Sequence, residues 1–270
     1  MILADFHTHT HLSTDSDALP EAQVEAAIRA GLQYLCFTDH EDMDYPAEYE
    51  GPGQFLVDME QYQKELLPLV ERYRDRITLH LGIELGLQPH LTKEIPAFAQ
   101  SYPFAYIIGS THVVDHMDMY YANYWEGRSL KESILRYYEQ TLENIRLYDC
   151  FDCYGHLDYI ARYVPEGLGT YDAKDYAEIM DEILRTLIAK GKGIECNTAG
   201  FKYGLGFPNP HWDVLRRYAE LGGELLTIGS DGHKPEHIGY DFQKLPELLK
   251  ACGFRYYTIF EERKARFLKL

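Results

Sequence analysis

The stretch ILADFHTHT (residues 2–10) changes character at its midpoint. Residues 2–6 are short, apolar and aromatic, the signature of a buried strand. His7 and His9 follow at alternate positions, so both leave the strand on one face at its C-terminal end. Taken alone, the histidines fit a metal-binding strand end or a polar, tag-like start. The rest of the chain has to decide.

Working outward, the same switch recurs. Apolar runs at YLCF (34–37), ITLHLGIEL (77–85), AYIIG (105–109), FDCYG (151–155), GIECN (193–197) and ELLTIG (224–229) read as further strands. Amphipathic stretches separate them. PEAQVEAAIRAG (20–31) reads as a helix stopped by Gly31, and residues 58–75 as a helix despite Pro68. Residues 129–148 form a long helix opened by Ser129, with Glu132 three residues on as in a capping box. Residues 173–191, 210–223 and 245–253 complete the helices. RYYTIF (255–260) reads as a short last strand, followed by a terminal basic helix. Strict alternation of β and α implies a parallel sheet. Seven or eight such units suggest a barrel, which typically takes about 250 residues. An open doubly wound sheet is the second choice, weakened by the lack of a Gly-rich dinucleotide fingerprint.

The chemistry falls at one end of these strands. After the first come His7 and His9; after the second, Asp39 and His40 in FTDH. The third ends in Glu84, the fourth is followed by His112 in GSTH, and the fifth by His156 in YGHLD. The sixth ends in Asn197, and the seventh leads into Asp231 and His233 in GSDGH. In parallel barrels and sheets this end carries the active site. The donors exceed the roughly four ligands of one zinc ion, so two or three divalent ions are implied. Nitrogen and oxygen donors without thiolate suit zinc, manganese or iron. His11, His80, His90, His116, His211 and His237 fall outside the pattern and read as surface or hydrogen-bonded core residues.

Bulk properties narrow the class. The 270 residues show no linker, repeat or low-complexity run, and one domain over 1–270 is the simpler reading. A formal net charge of −17 without a basic run argues against nucleic acid as partner. No apolar stretch approaches the ~18 residues of a membrane span, and the start is not a signal peptide, so the expectation is a cytoplasmic protein. The five cysteines form no disulfide framework by count, and CFDC (150–153) reads as part of a buried strand.

In this order, DFHTHT, FTDH, GIEL, GSTH, YGHLD and GSDGH resemble the polymerase-and-histidinol-phosphatase (PHP) family over nearly the whole chain. The resemblance implies a distorted (β/α)7 TIM-like barrel holding up to three metal ions. GHLDYIARY (155–163), GIECNTAGFKYGLGFPNP (193–210) and LTIGSDGHKPEHIG (226–239) are similar to the histidinol-phosphatase branch. It implies that His7, His9, Glu84 and Asp231 hold a first ion. Glu84 then bridges to an ion held by His112 and His156. His40 and His233 hold a third, with Asp15 where several relatives carry histidine; an oxygen donor there favours harder ions such as manganese or iron(II). Asp5, Asp39 and Asp158 are expected to orient ligand imidazoles from behind. Arg162 is the expected phosphate contact. Lys202 stands where the branch often has arginine; Lys202, Asn197 and Asp42 are candidate substrate contacts.

The resemblance implies a phosphomonoesterase acting on L-histidinol phosphate in histidine biosynthesis, with hydroxide generated by ions close together. A first alternative is a PHP phosphoesterase acting on a nucleotide, sugar phosphate or phosphotyrosyl peptide. A second is a catalytically silent, metal-bound interaction module. EDMDYP (41–46) offers Glu41, Asp42 and Asp44 for the substrate amine, with a solvated acidic loop as the plainer reading. The aromatic segment VVDHMDMYYANYWEG (113–127) fits a lid over the substrate or ordinary packing.

Overall fold

A computed structural model describes residues 1–50 and 54–270. Seven parallel strands lie side by side in chain order: β1 (Ala4–Asp5), β2 (Tyr34–Phe37), β3 (Thr78–Gly86), β4 (Tyr106–Ser110), β5 (Cys153–Tyr154), β6 (Gly193–Asn197) and β7 (Leu226–Gly229). The register runs through Ala4 opposite Tyr34, Tyr34 opposite Thr78, Gly82 opposite Tyr106, Ile108 opposite Cys153 and Ile194 opposite Leu226. The sheet then curls back on itself. Phe6 N–H donates to the Ile228 carbonyl (2.9 Å), and Thr8 forms a parallel bridge to Gly232. The result is a nearly closed barrel, in which consecutive strands are spatial neighbours because each is followed by a helix that returns the chain.

Those helices are α1 (Pro20–Arg29), α2 (Met59–Tyr73), α3 (Glu94–Ser101), α4 (Leu130–Leu147), α5 (Ala177–Ala189), α6 (Trp212–Glu220) and α7 (Leu245–Ala251). Asp58 caps α2 by accepting from the N–H groups of Glu60 and Gln61, and the helix continues through Pro68. The Ser129–Glu132 capping box opens α4. Helix α3 is an addition to the elements expected between the third and fourth strands. Its Pro96 falls in the first turn, where the missing N–H has no helical partner to lose. Among the described residues no helix is long and apolar enough to cross a membrane.

The expected terminal basic helix is instead a second strand. β8 (Tyr256–Glu261) and β9 (Lys264–Lys269) pair antiparallel around Glu262 and Arg263, whose φ values of 49° and 62° make the tight turn. A helix in place of β9 would have left the β8 backbone with no strand partner. The hairpin covers the N-terminal end of the barrel. The Tyr257 hydroxyl accepts from Leu3 N–H (2.9 Å), Thr258 Oγ1 accepts from Leu226 N–H (3.2 Å), and Arg263 N–H donates to the Ala105 carbonyl (2.9 Å). Phe260 stacks on Tyr106 inside the floor.

Candidate metal centre

The opposite mouth of the barrel gathers the donors. Beyond Phe37 the second strand resumes as a short segment, His40–Glu41, that pairs with β3 so that His40 lies opposite Glu84. Glu84 is fully buried at the focus of five imidazoles. Its Oε2 lies 3.1 Å from His7 Nε2, 3.4 Å from His9 Nε2 and 3.2 Å from His40 Nδ1. Its Oε1 lies 2.9 Å from His156 Nε2 and 3.3 Å from His112 Nε2, and accepts from Ser110 Oγ at 2.7 Å. Asp231 Oδ1 is 3.6 Å from His9 Nε2 and 3.5 Å from His233 Nδ1. Asp15 Oδ2 is 2.9 Å from His233 Nε2 and 3.6 Å from His40 Nε2. The His9 ring stacks against those of both His40 and His233, with centroids 4.2 and 4.3 Å away. All nine residues singled out as ligands in the sequence thus share one cluster.

Within it, His7 Nε2, His9 Nε2, His40 Nδ1 and Glu84 Oε2 are buried without a hydrogen bond. Each such atom costs about 1–3 kcal/mol if left so, and a cation among them satisfies all four. Three sets of donors lie within 4.8 Å of one another: His7, His9 and Glu84; His40, Glu84 and His112; His9, His40 and His233. The donor chemistry therefore fits divalent metal ions. Two groupings differ from the expected ligand sets: His40 joins Glu84 and His112, and His9 joins His40 and His233.

The electrostatics agree. Burial alone would raise the Glu84 carboxyl, but His7, His112 and His40 outweigh it and hold it well below the usual carboxylate range. Asp231 is likewise held low against burial, by Arg162, His7 and His233. Burial would lower His112, yet the Asp42 and Glu84 carboxylates keep it up at about 10. Burial and the facing His40 and His233 push His9 down.

The groups that orient these ligands are only partly those expected. Asp39 acts through an intermediary: it accepts from Thr10 N–H and from Ser13 Oγ, which lies 3.2 Å from His9 Nδ1. Asp5 contacts no ligand imidazole. It accepts from Ser230 N–H and Oγ and from Gly239 N–H, pinning the loop that carries Asp231. Asp158 accepts from Asn209 Nδ2 and His211 N–H instead. Asp42, a candidate for the substrate amine, is buried 2.7 Å from His112 Nδ1 and 3.2 Å from His40 Nδ1. Glu195, not singled out in the sequence, lies 2.7 Å from His7 Nδ1 and accepts from His156 N–H. The one available signal was its position two residues before Asn197, on the same face of β6. Glycine makes room for it: a Cβ at Gly229 would lie 2.2 Å from Glu195 Oε1 and 2.4 Å from His7 Cβ.

Beside the donors stands a buried cation. Arg162 Nη1 donates to Asp231 Oδ2 (3.0 Å), Nη2 to Asn197 Oδ1 (3.2 Å) and Nε to Asn209 Oδ1 (2.9 Å), with the guanidinium over the Tyr159 and Tyr203 rings. Lys202 Nζ donates to the Asp231 carbonyl (3.0 Å). Arg162, Lys202 and His237 line a cavity of about 350 Å³ together with Glu84, His112, His156 and Asp231. The cavity wall thus includes His237, which the strand-end pattern had set aside.

The family profile of the PHP domain matches residues 5–199. The chain belongs to the PHP family. It is 31% identical to the histidinol-phosphatase of Lactococcus lactis over 266 residues, covering 96% of this chain and 95% of the relative. It is 30% identical to a probable histidinol-phosphatase of Clostridium acetobutylicum, over 97% of this chain and 98% of that one. A solved structure of the Lactococcus lactis histidinol phosphate phosphatase, complexed with zinc, L-histidinol and phosphate, superposes with a TM-score of 0.89 at 30% identity, covering 97% of this chain and 98% of its own.

Around the cluster, part of the segment 113–127 packs as ordinary core and part lines a cavity. Val113, Val114, Met119, Tyr124 and Trp125 are buried, and Trp125 Nε1 donates to the Met119 carbonyl. Asp118, Tyr120 and Tyr121 instead line a second cavity of about 260 Å³ that abuts His40, His112 and Asp15. Asp42, Tyr45, Phe55, Tyr159 and Tyr163 complete its wall, and the Tyr45 hydroxyl donates to Asp118 Oδ2 (2.6 Å).

Proposed function

We propose that this PHP barrel is a histidinol-phosphatase, a metal-dependent phosphomonoesterase that hydrolyses L-histidinol phosphate to L-histidinol and phosphate. The observation that carries the reading is the Glu84 carboxylate amid five imidazoles with unsatisfied buried donors, next to the buried Arg162. Full-length relatives at 30–31% identity bear the histidinol-phosphatase name. His7, His9, Glu84 and Asp231 are suited to a first ion, Glu84, His112 and His156 to a second, and His40, His233 and Asp15 to a third. Two or three divalent ions (zinc, manganese or iron) supply Lewis acidity and a reactive hydrolytic water near neutral pH.

The remaining work belongs to the chain. Arg162 and Lys202 bind phosphate oxygens, and the guanidinium neutralises charge that builds there during displacement. Asn197 and Asn209 hold the guanidinium in place. Glu195 and Asp42 fix the His7 and His112 rings from behind. The aromatic cavity takes the leaving alcohol. Its tyrosine faces suit a cationic amine and an imidazole, and Asp118 supplies the countercharge. The chain is read as one domain over residues 1–270 that acts on a small phosphorylated substrate in the cytoplasm.

The test is a phosphatase panel with metal analysis of the same sample. Phosphate release from histidinol phosphate is expected to exceed that from nucleotide monophosphates, sugar phosphates and a phosphotyrosyl peptide. Equal or inverted rates overturn the substrate assignment.

A further inference from the structure

Two histidines set aside in the sequence, His90 and His116, meet Asp44 of the acidic loop on the outer surface. Asp44 follows the second strand, His90 follows β3, and His116 sits at the tip of a small hairpin after β4 formed by Val113–Val114 and Met117–Asp118. His90 Nε2 lies 2.8 Å from Asp44 Oδ2, and the His90 and His116 rings are 5.0 Å apart. One donor atom from each of the three lies within 4.8 Å of the others, and all three side chains are exposed.

We propose that Asp44, His90 and His116 form a second, peripheral site for a divalent transition-metal ion such as zinc, separate from the cluster around Glu84. Two imidazoles and one carboxylate are the borderline donors that zinc, nickel and copper select, and water completes the shell. Ligands of one zinc stand about 3.3 Å apart for bonds of about 2.0–2.1 Å, and rotation of the exposed side chains closes the remaining gap.

The backbones that carry these side chains are fixed without the ion. Gln88 Nε2 donates to the Met43 carbonyl (2.7 Å), tying the Asp44 loop to the loop of His90. Gln88 is itself anchored by the Tyr148 hydroxyl, which donates to its carbonyl at 2.6 Å. At the hairpin, Asp115 N–H donates to Gln140 Oε1 (3.0 Å), and Arg136 grips the Asp115 carboxylate with two nitrogens. Asp115 and His116 adopt φ of 51° and 60°. A two-residue hairpin turn of this kind favours glycine at its second position. The turn presents the His116 ring beside that of His90.

The site lies behind the wall of the aromatic cavity. Asp44 precedes Tyr45 and His116 precedes Asp118, and the same two loops meet on the cavity side through the Tyr45–Asp118 hydrogen bond. An ion on the outer side clamps both loops and stiffens that wall.

The experiment uses the full chain stripped of metal and dialysed against zinc chloride at micromolar free zinc, with zinc per chain counted by elemental analysis. His90→Ala and His116→Gly, each folded by circular dichroism, are expected to hold one equivalent fewer than the parent. His116→Gly suits the turn and tests the ligand without straining the backbone. Hydrogen exchange across residues 113–121 is expected to slow with the additional equivalent in the parent protein and not in the variants. Equal zinc counts in parent and variants overturn the proposal. So does a loss of more than one equivalent, which would assign these histidines to the support of the main cluster. The count is independent of which phosphomonoester the enzyme hydrolyses.

Discussion

The two ends of this barrel are made from the same seven strands and differ in how their buried polar groups are answered. At the floor, Tyr106 shares a hydrogen bond with Thr227, Tyr257 receives Leu3 N–H and Thr258 receives Leu226 N–H. Only His80, near Phe6 and Tyr34, keeps a buried ring nitrogen unanswered there among the described residues. At the mouth, unanswered nitrogens and oxygens crowd around Glu84. The floor satisfies itself and is a foundation. The mouth is satisfied only by something bound, so the chain bears a cost there that its ligands return.

Substitutions at the two ends sharpen or break this contrast. Glu84→Gln strikes the focus of the mouth. It is expected to strip metal and lower turnover at least ~10³-fold, the several kcal/mol that metal ions contribute. Retained metal and activity would show that the mouth is not the metal centre. Arg162→Ala is expected to lower turnover by about 100- to 1,000-fold while metal content stays near that of the parent. Loss of the metals would make Arg162 a structural partner of Asp231 instead.

Glu195→Gln tests support from behind the ligands. Zinc affinity, measured by chelator competition, is expected to weaken about 10- to 100-fold, and unchanged affinity would remove Glu195 from the site. Protons give a further reading. Burial would lower the His112 imidazole, but Asp42 and Glu84 hold it at about 10 in the metal-free chain. The ring is then protonated at pH 8 and must release a proton to bind an ion. Calorimetry in buffers of different ionisation enthalpy is expected to show that release. Because the folded value is raised, its contribution to metal-free stability is complete below about pH 6.5 and fades as pH rises through about 10. A denaturation midpoint that climbs between pH 7 and 10 would contradict this.

The smallest effect belongs to the floor. Tyr257→Phe removes the bond to Leu3 N–H at a cost of about 1 kcal/mol, or roughly 2–4 °C in Tm. Metal content and turnover are expected to stay constant. A change in either would mean that the two ends are coupled.

The sequence made most of this legible, because alternating strands and helices, with donors at one end of each strand, are local patterns. What escaped it depends on partners across the fold. Glu195 sits inside an apolar strand, and its role comes from His7, which follows β1, and from His156, which follows β5. Asp42 reads as part of an acidic loop, since only the pairing of His40–Glu41 with β3 brings it beside His112. The last residues read as a basic helix because only the left-handed turn at Glu262 and Arg263 turns them back as a strand. His237 looked peripheral because it reaches the cavity through a loop rather than a strand end.

The seam between β1 and β7 has a consequence for how the molecule comes into being. Asp5 grips Ser230 across 225 positions of chain, and His7 and His9 face Asp231 over the same seam. During synthesis the first ligands emerge long before the last, and non-local contacts of this span form late. A nascent chain that has not yet exposed residue 231 has only part of the cluster and no closed seam. The complete donor cluster is therefore a signal of completion, available only to a molecule whose two ends have already met.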